Sequence, residues 1–270
     1  MPVVLAAVWF NLRGALVTAG TVALLYVPHV ALQWGGQRAE NINQLGEIVT
    51  IALAATVAGI LVSREKRALG ELAAAYRGTA RALVAALDAR EHDTERHSER
   101  VCAYAVRLAD ELEVSPEQRR SIALGGLLHD IGKIGVPDSI LLKPGRLTDD
   151  EWHFIRKHPE LGKQILASVP FLQSAIDIVH CHHERFDGGG YPRSLAGEEI
   201  PLGARIFAVA DVYDALTTAR PYRRPDSCES ARREIEKGIG SHFDPQVVAA
   251  FQRIPPAEWG RIRAEISSEQ

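Results

Sequence analysis

His129 and Asp130 stand side by side at the end of the apolar pair Leu127 and Leu128, with Ile131 next and Lys133 three residues past the aspartate. An ionised carboxylate among leucines is costly unless a cation or hydrogen bonds compensate it. Something must therefore pair with Asp130. Other segments carry similar groups: Asp93 and His97 four apart, His158 beside Pro159, the pair His182 and His183 before a glycine-rich stretch, and Asp211 inside the apolar "RIFAVADVYDAL". One such pair is commonplace on a helix surface, but several in one modest domain favour a metal site. Imidazoles mixed with carboxylates suit a first-row transition metal, and a shared aspartate can bridge two ions about 3.5 to 4 Å apart. Ions so placed would acidify a bridging water near neutral pH and neutralise phosphoryl oxygens, so cleavage of a phosphodiester is the expected chemistry.

Cations for an anionic substrate are also present. Lys133 falls one helical turn beyond His129 and suits a phosphate oxygen or the activated water, the alternative being a surface lysine. Arg220 and Arg223 in "ARPYR" offer guanidinium forks that match phosphate, or else pair with acids of their own domain. Asp214 either buttresses a ligand or caps its helix. Cys181, between His180 and His182, reads as a buried bystander, and His29, His153, His180 and His242 are given no role.

The elements that must hold these groups read as helices. "AYAVRLADEL" and "ARREIEKGI" have helical spacing, and period-two alternation is hard to find, so the region from about 92 onward is expected to be all-α. Asp93 and His97 are expected on one helix face. Thr148 and Glu151 form a capping box, and Pro159 disfavours helix at His158 while suiting the first turn of the next helix. His158 is thus expected at a corner between two helices.

The 270 residues are 46% hydrophobic, enough for a core and against disorder. A formal charge of −3 argues against a surface that coats nucleic acid polymers, and three cysteines fit neither a disulfide framework nor a zinc motif. A reducing compartment follows. The first 63 residues differ: "GALVTAGTVALLYVPHVAL" (14–32) carries no charge and spans roughly 28 Å as a helix. Two transmembrane helices are expected, 14–34 and 45–62, and the basic cluster Arg64, Lys66 and Arg67 places the remainder in the cytoplasm. A buried helical hairpin is the alternative. Residues 64–91 read as a linker helix with a stripe of Leu69, Leu72, Tyr76, Thr79, Leu83 and Ala86, which either pairs two chains as a coiled coil or packs on its own domain.

From about 81 to 265 the chain resembles the HD-GYP domain, a bacterial branch of the HD metal-dependent phosphohydrolases. The motifs are "HSERV" (97–101), "HDIGKIGVPDSILLKPGRLT" (129–148), "HPELG" (158–162), "HHERFDGGGYP" (182–192), "ADVYDALTTARPYR" (210–223) and "HFDP" (242–245). The resemblance implies an HD-type helical bundle over 92–265 that hydrolyses the second messenger cyclic di-GMP to pGpG or GMP, with two or three divalent ions, iron or manganese. It implies that His97, His129, Asp130 and Asp211 hold one ion, and that Asp130 bridges to a second held by His158, His182 and His183. Asp93 stands where members with a third ion carry a glutamate. Arg220 and Arg223 correspond to substrate contacts, and the "FDGGGYP" loop to a contact with diguanylate cyclase partners. The expected whole is an enzyme of the bacterial inner membrane with its catalytic domain in the cytoplasm. A silent nucleotide- or cyclase-binding module and a phosphodiesterase for another cyclic dinucleotide, such as cyclic GMP-AMP, are the alternatives.

Overall fold

A computed structural model of the protein describes residues 38–91, 96–219 and 224–268, with five isolated helical positions between 14 and 24. The chain divides into two units, Met1–Arg77 and Gly78–Gln270. The described residues are helical throughout, with only two isolated β-bridges, Asp187 with Ala196 and Ile239 with Phe243. The all-α expectation holds.

The first described helix, α1, runs unbroken over Arg38–Glu91. It absorbs both the second expected membrane span, 45–62, and the linker, because no proline interrupts 45–91. Among the described residues no helix is long and apolar enough to cross a membrane. The expectation of two membrane helices is corrected to that extent: Gly46, Glu47, Thr50 and Thr56 interrupt the 45–62 stretch, and Ser63 and the charged run Arg64 to Arg67 follow directly after it. Most of the other expected span, 14–34, lies outside the described residues.

Of the two roles expected of the linker stripe, packing on its own domain falls to a neighbouring face. Leu69, Leu72, Tyr76 and Leu83 are exposed, whereas Ala80, Val84 and Leu87 are buried. The packed face is thus displaced by one residue from the stripe Thr79, Leu83 and Ala86, a rotation of about 100° around the helix.

Within the second unit, α2 (His97–Glu111), α3 (Pro116–Leu128), α4 (Asp138–Leu141), α5 (Asp149–Ile155), α6 (His158–Ala167), α7 (Ile176–Cys181), α8 (Leu202–Thr217), α9 (Cys228–Lys237), α10 (Pro245–Arg253) and α11 (Pro256–Ser268) follow in order. Local sequence fixes many of their starts. Ser115 and Gln118 cap α3 reciprocally, Thr148 and Glu151 cap α5 as expected, and Asp244 caps α10 just before Pro245. The apolar faces of α2, α8, α10 and α11 meet in one core, where Tyr104, Tyr213, Phe251 and Trp259 pack largely edge to face. A second cluster joins Leu128, Ile131, Leu166 and Val179 to Ala80 and Val84 of α1. Leu128 and Ile131 flank the His129–Asp130 pair in sequence, so this cluster anchors it.

Between α3 and α4 the chain tightens into a 3-10 turn, Ile131–Gly135. Lys133 therefore does not continue an α-helical face from His129. The cause is a close approach of backbones: a Cβ on Gly132 would lie 1.9 Å from the His158 carbonyl oxygen and 2.5 Å from the Gly162 amide nitrogen. Only glycine lets this turn sit against the start of α6. Gly132→Ala is expected to cost about 1–3 kcal/mol of stability through overpacking, seen as a lower urea midpoint at unchanged slope.

Candidate metal centre

The expected ligands sit at helix ends. His97 opens α2, His129 follows the last residue of α3, His158 opens α6 and His182 follows α7, while Asp211 projects from within α8. Three of these imidazoles are held alike: Nδ1 of His129, His158 and His182 meets the carbonyl oxygen three residues earlier, on Gly126, Ile155 and Val179, at 2.9, 2.7 and 2.8 Å. A carbonyl accepts only, so Nδ1 carries the proton and donates, and each Nε2 faces inward. His97 is fixed differently, with Nδ1 2.8 Å from Asp214 Oδ2 and Nε2 3.4 Å from Asp211 Oδ1.

These atoms form two groups. His97, His129 and Asp211 converge in one, and Asp130, His158, His182 and His183 in the other, each with a potential ligand atom from every member within 4.8 Å of the rest. Asp130 divides its oxygens between them. Oδ2 lies 3.0 Å from His129 Nε2 and 2.9 Å from Lys133 Nζ, while Oδ1 lies 3.3 Å from His158 Nε2 and 4.0 Å from that of His182. The compensation that the sequence demanded for Asp130 is a ring of imidazoles and one ammonium.

The electrostatics differ across the site. Burial alone would raise the Asp130 pKa, but His129 and Lys133 hold it well below the usual carboxylate range. Burial opposes charge on His97 too, yet hydrogen bonds with Asp211 and Asp214 lift it to about 10. In the second group the pull of Asp130 is too small to offset the loss of water: burial and neighbouring histidines push His182 well below its ordinary value, and burial with His158 brings His183 to about 4. These imidazoles are neutral, the state in which they ligate metals.

Whether this donor set fits a cation is tested by one contact. His158 Nε2 and His182 Nε2 lie 3.1 Å apart while both Nδ1 protons are given to carbonyls. Two lone pairs then face each other at hydrogen-bond distance with no proton between them, an arrangement that a shared cation relieves. The mixed His and carboxylate set suits iron or manganese equally and fixes neither.

Several supporting residues were invisible in the motif spacing. Arg100 grips Asp214 through Nε at 2.7 Å and a terminal nitrogen at 3.0 Å, so the buried Asp214 both orients His97 and is held near a pKa of about 2 against its burial. Phe207 lies under His129 and His182 with ring centroids at 4.8 and 5.7 Å. Glu184, buried, accepts hydrogen bonds from the amides of Arg193 and Leu195 and so closes the glycine-rich loop on itself. The adjacent signal was the charged pair in "HHERF", which spacing alone does not distinguish from solvated charge. In that loop a Cβ on Gly190 would meet Arg185 N at 2.4 Å, and Tyr191 stacks on His183 at 4.7 Å. A cavity of about 280 Å³ opens here, lined by His182, His183, Tyr191, Asp211, Arg156 and His242 among others.

Of the other expected residues, Asp93, Arg220 and Arg223 lie outside the described residues. On the described side of Asp93, α2 begins at His97, and Arg96 before it is left-handed at φ 63°. Cys181 packs with Ile200 and Ala204. His180 Nε2 lies 2.7 Å from Glu160.

An all-α domain with a buried His and Asp cage at its helix ends is a metal-centre architecture. Residues 60–247 match the HD domain, and the chain belongs to that family. It is 46% identical over 167 residues to a cyclic di-GMP phosphodiesterase of Thermotoga maritima, covering 61% of this chain and 45% of that protein. It is 42% identical over 168 residues to a 3′3′-cGAMP-specific phosphodiesterase of Vibrio cholerae, covering 62% and 32%. The crystal structure of a cyclic GMP-AMP specific phosphodiesterase from V. cholerae shares the fold, with a TM-score of 0.56 at 21% identity over 71% of this chain and 50% of that one. The chain spans about half or less of the length of the curated relatives it matches.

Asp214→Asn is expected to weaken divalent-metal binding by roughly ten- to a hundredfold, the usual cost of losing the outer partner of a ligating histidine. Chelator competition on the folded protein measures it.

Proposed function

We propose that the chain is a metal-dependent phosphodiesterase of the HD-GYP branch that opens cyclic di-GMP to linear pGpG, and onward to GMP. The observation that carries this reading is Asp130, whose two oxygens are divided between two groups of imidazoles with Lys133 at its side. Divalent ions in that cage supply Lewis acidity for attack of water on phosphorus. His97, His129, Asp130 and Asp211 are assigned to one ion, and Asp130, His158, His182 and His183 to the other. Lys133 binds a phosphoryl oxygen as a point charge and steadies the charge that develops there. Tyr191 covers His183 and limits water on that side of the cavity. Arg220 and Arg223 are assigned to the phosphates, and Asp93 to a third ion where one is bound.

The named Thermotoga relative supports cyclic di-GMP as substrate, and the Vibrio relative at similar identity supports 3′3′-cGAMP as the second reading. A silent binding module is disfavoured because every ligand position of the two groups is filled. The location we propose is the inner membrane with the catalytic unit in the cytoplasm, resting on the uncharged stretch 14–32 and the basic cluster at 64–67. A two-chain pairing of α1 and a cyclase partner at the glycine-rich loop complete the proposal, the former supported by the exposed stripe of Leu69, Leu72, Tyr76 and Leu83.

Protein loaded with manganese or iron under reducing conditions is expected to convert cyclic di-GMP to pGpG faster than it converts 3′3′-cGAMP, by chromatography of products. Lys133→Ala is expected to lower kcat about a hundredfold, the scale for losing one charge-stabilising donor. Faster turnover of 3′3′-cGAMP would instead establish the second reading, and no linear product with either metal would end both.

A further inference from the structure

Arg90 sits in the last turn of α1, and its guanidinium is fully engaged. Nε donates to Asp138 Oδ1 at 2.8 Å, one terminal nitrogen donates to the carbonyl oxygens of Lys133 and Ile134 at 3.2 and 3.3 Å, and the other to that of Val136 at 2.5 Å. Lys133 and Ile134 belong to the 3-10 turn Ile131–Gly135, and Val136 directly follows it. The final carbonyls of a helical turn are short of partners within it, although that of Lys133 also accepts from the Val136 amide at 2.9 Å, so this side chain, arriving from another element, completes the exit of the turn that presents Lys133. Asp138 is largely exposed, which leaves the carbonyl contacts as the firmer part of the grip.

The same end of α1 is also packed. Ala80 and Val84 are buried against the cluster containing Leu128 and Ile131, the residues on either side of His129 and Asp130. The helix end thus meets the catalytic turn twice, through an apolar face below and a guanidinium at its exit. Lysine cannot substitute, because a single ammonium does not span three carbonyls and a carboxylate as the planar fork does.

We propose that Arg90 is a positioning residue, holding the 131–135 turn where Lys133 Nζ meets Asp130, so that a displacement of the end of α1 alters the reaction rate. The inference rests on the reading of Lys133 as the cation that acts on the phosphoryl group.

The test is a double-mutant cycle on the full manganese-loaded chain, with Arg90→Ala, the milder Arg90→Gln, Lys133→Ala and the two combinations. Turnover is read on cyclic di-GMP and on bis(p-nitrophenyl) phosphate, and bound metal by chelator competition. Both Arg90 variants are expected to lower kcat, tenfold or more for Arg90→Ala, with KM and bound metal within twofold. In the Lys133→Ala background the same changes are expected to cost less than twofold, because a residue acting through Lys133 has nothing left to position. An equal fold loss with and without Lys133, an unchanged kcat in Arg90→Ala, or loss of metal from both Arg90 variants would overturn the proposal. Cleavage of the generic diester without cleavage of cyclic di-GMP would remove the substrate reading alone, and the cycle on the generic diester would still decide the role of Arg90.

Discussion

A carboxylate buried among apolar residues has to be neutralised, and the architecture around Asp130 answers that requirement. Its neighbours in sequence, Leu128 and Ile131, are fixed in an apolar cluster, which anchors the backbone that carries the carboxylate. Helix ends are brought to it instead: α2, α3, α6 and α7 each deliver an imidazole at a terminus, where the chain is already turning and a ring can point inward. The glycine at 132 follows from the same demand, since the turn carrying Lys133 must lie against the backbone of α6. Polar satisfaction and close packing are here one problem.

How much of this was legible depended on whether one residue type was enough to specify the outcome. Asp130 beside His129 was readable because burying it without partners is expensive, and the convergence of His97, His158, His182, His183 and Asp211 was readable because their number made separate explanations uneconomical. Capping chemistry was equally direct, as Thr148 with Glu151 fixes a helix start by local hydrogen bonds alone. Spacing carries no information about Arg96 adopting a left-handed backbone, after which α2 begins at His97. The face of α1 that packs on its own unit lies one residue from the stripe that the spacing picks out, because a repeat of three and four specifies a helix better than it specifies which register is covered. Arg90 and Arg100 were silent, since an arginine that will grip carbonyls or a buried aspartate looks in sequence like any solvated charge.

The two groups of the cage are built on different electrostatic principles. At His97 and His129 the pull of neighbouring carboxylates exceeds the cost of burial and raises the pKa in the absence of metal, whereas burial and one another lower those of His158, His182 and His183 despite Asp130. Proton and metal compete for the first group far more than for the second. The Arg100 and Asp214 pair sharpens that contrast by holding a negative charge behind His97 alone.

Three of the imidazoles owe their orientation to main-chain oxygens on the turn before them, not to whatever occupies the centre. A ring tethered in this way stays aimed when its occupant leaves, so emptying and refilling need no repacking of the bundle.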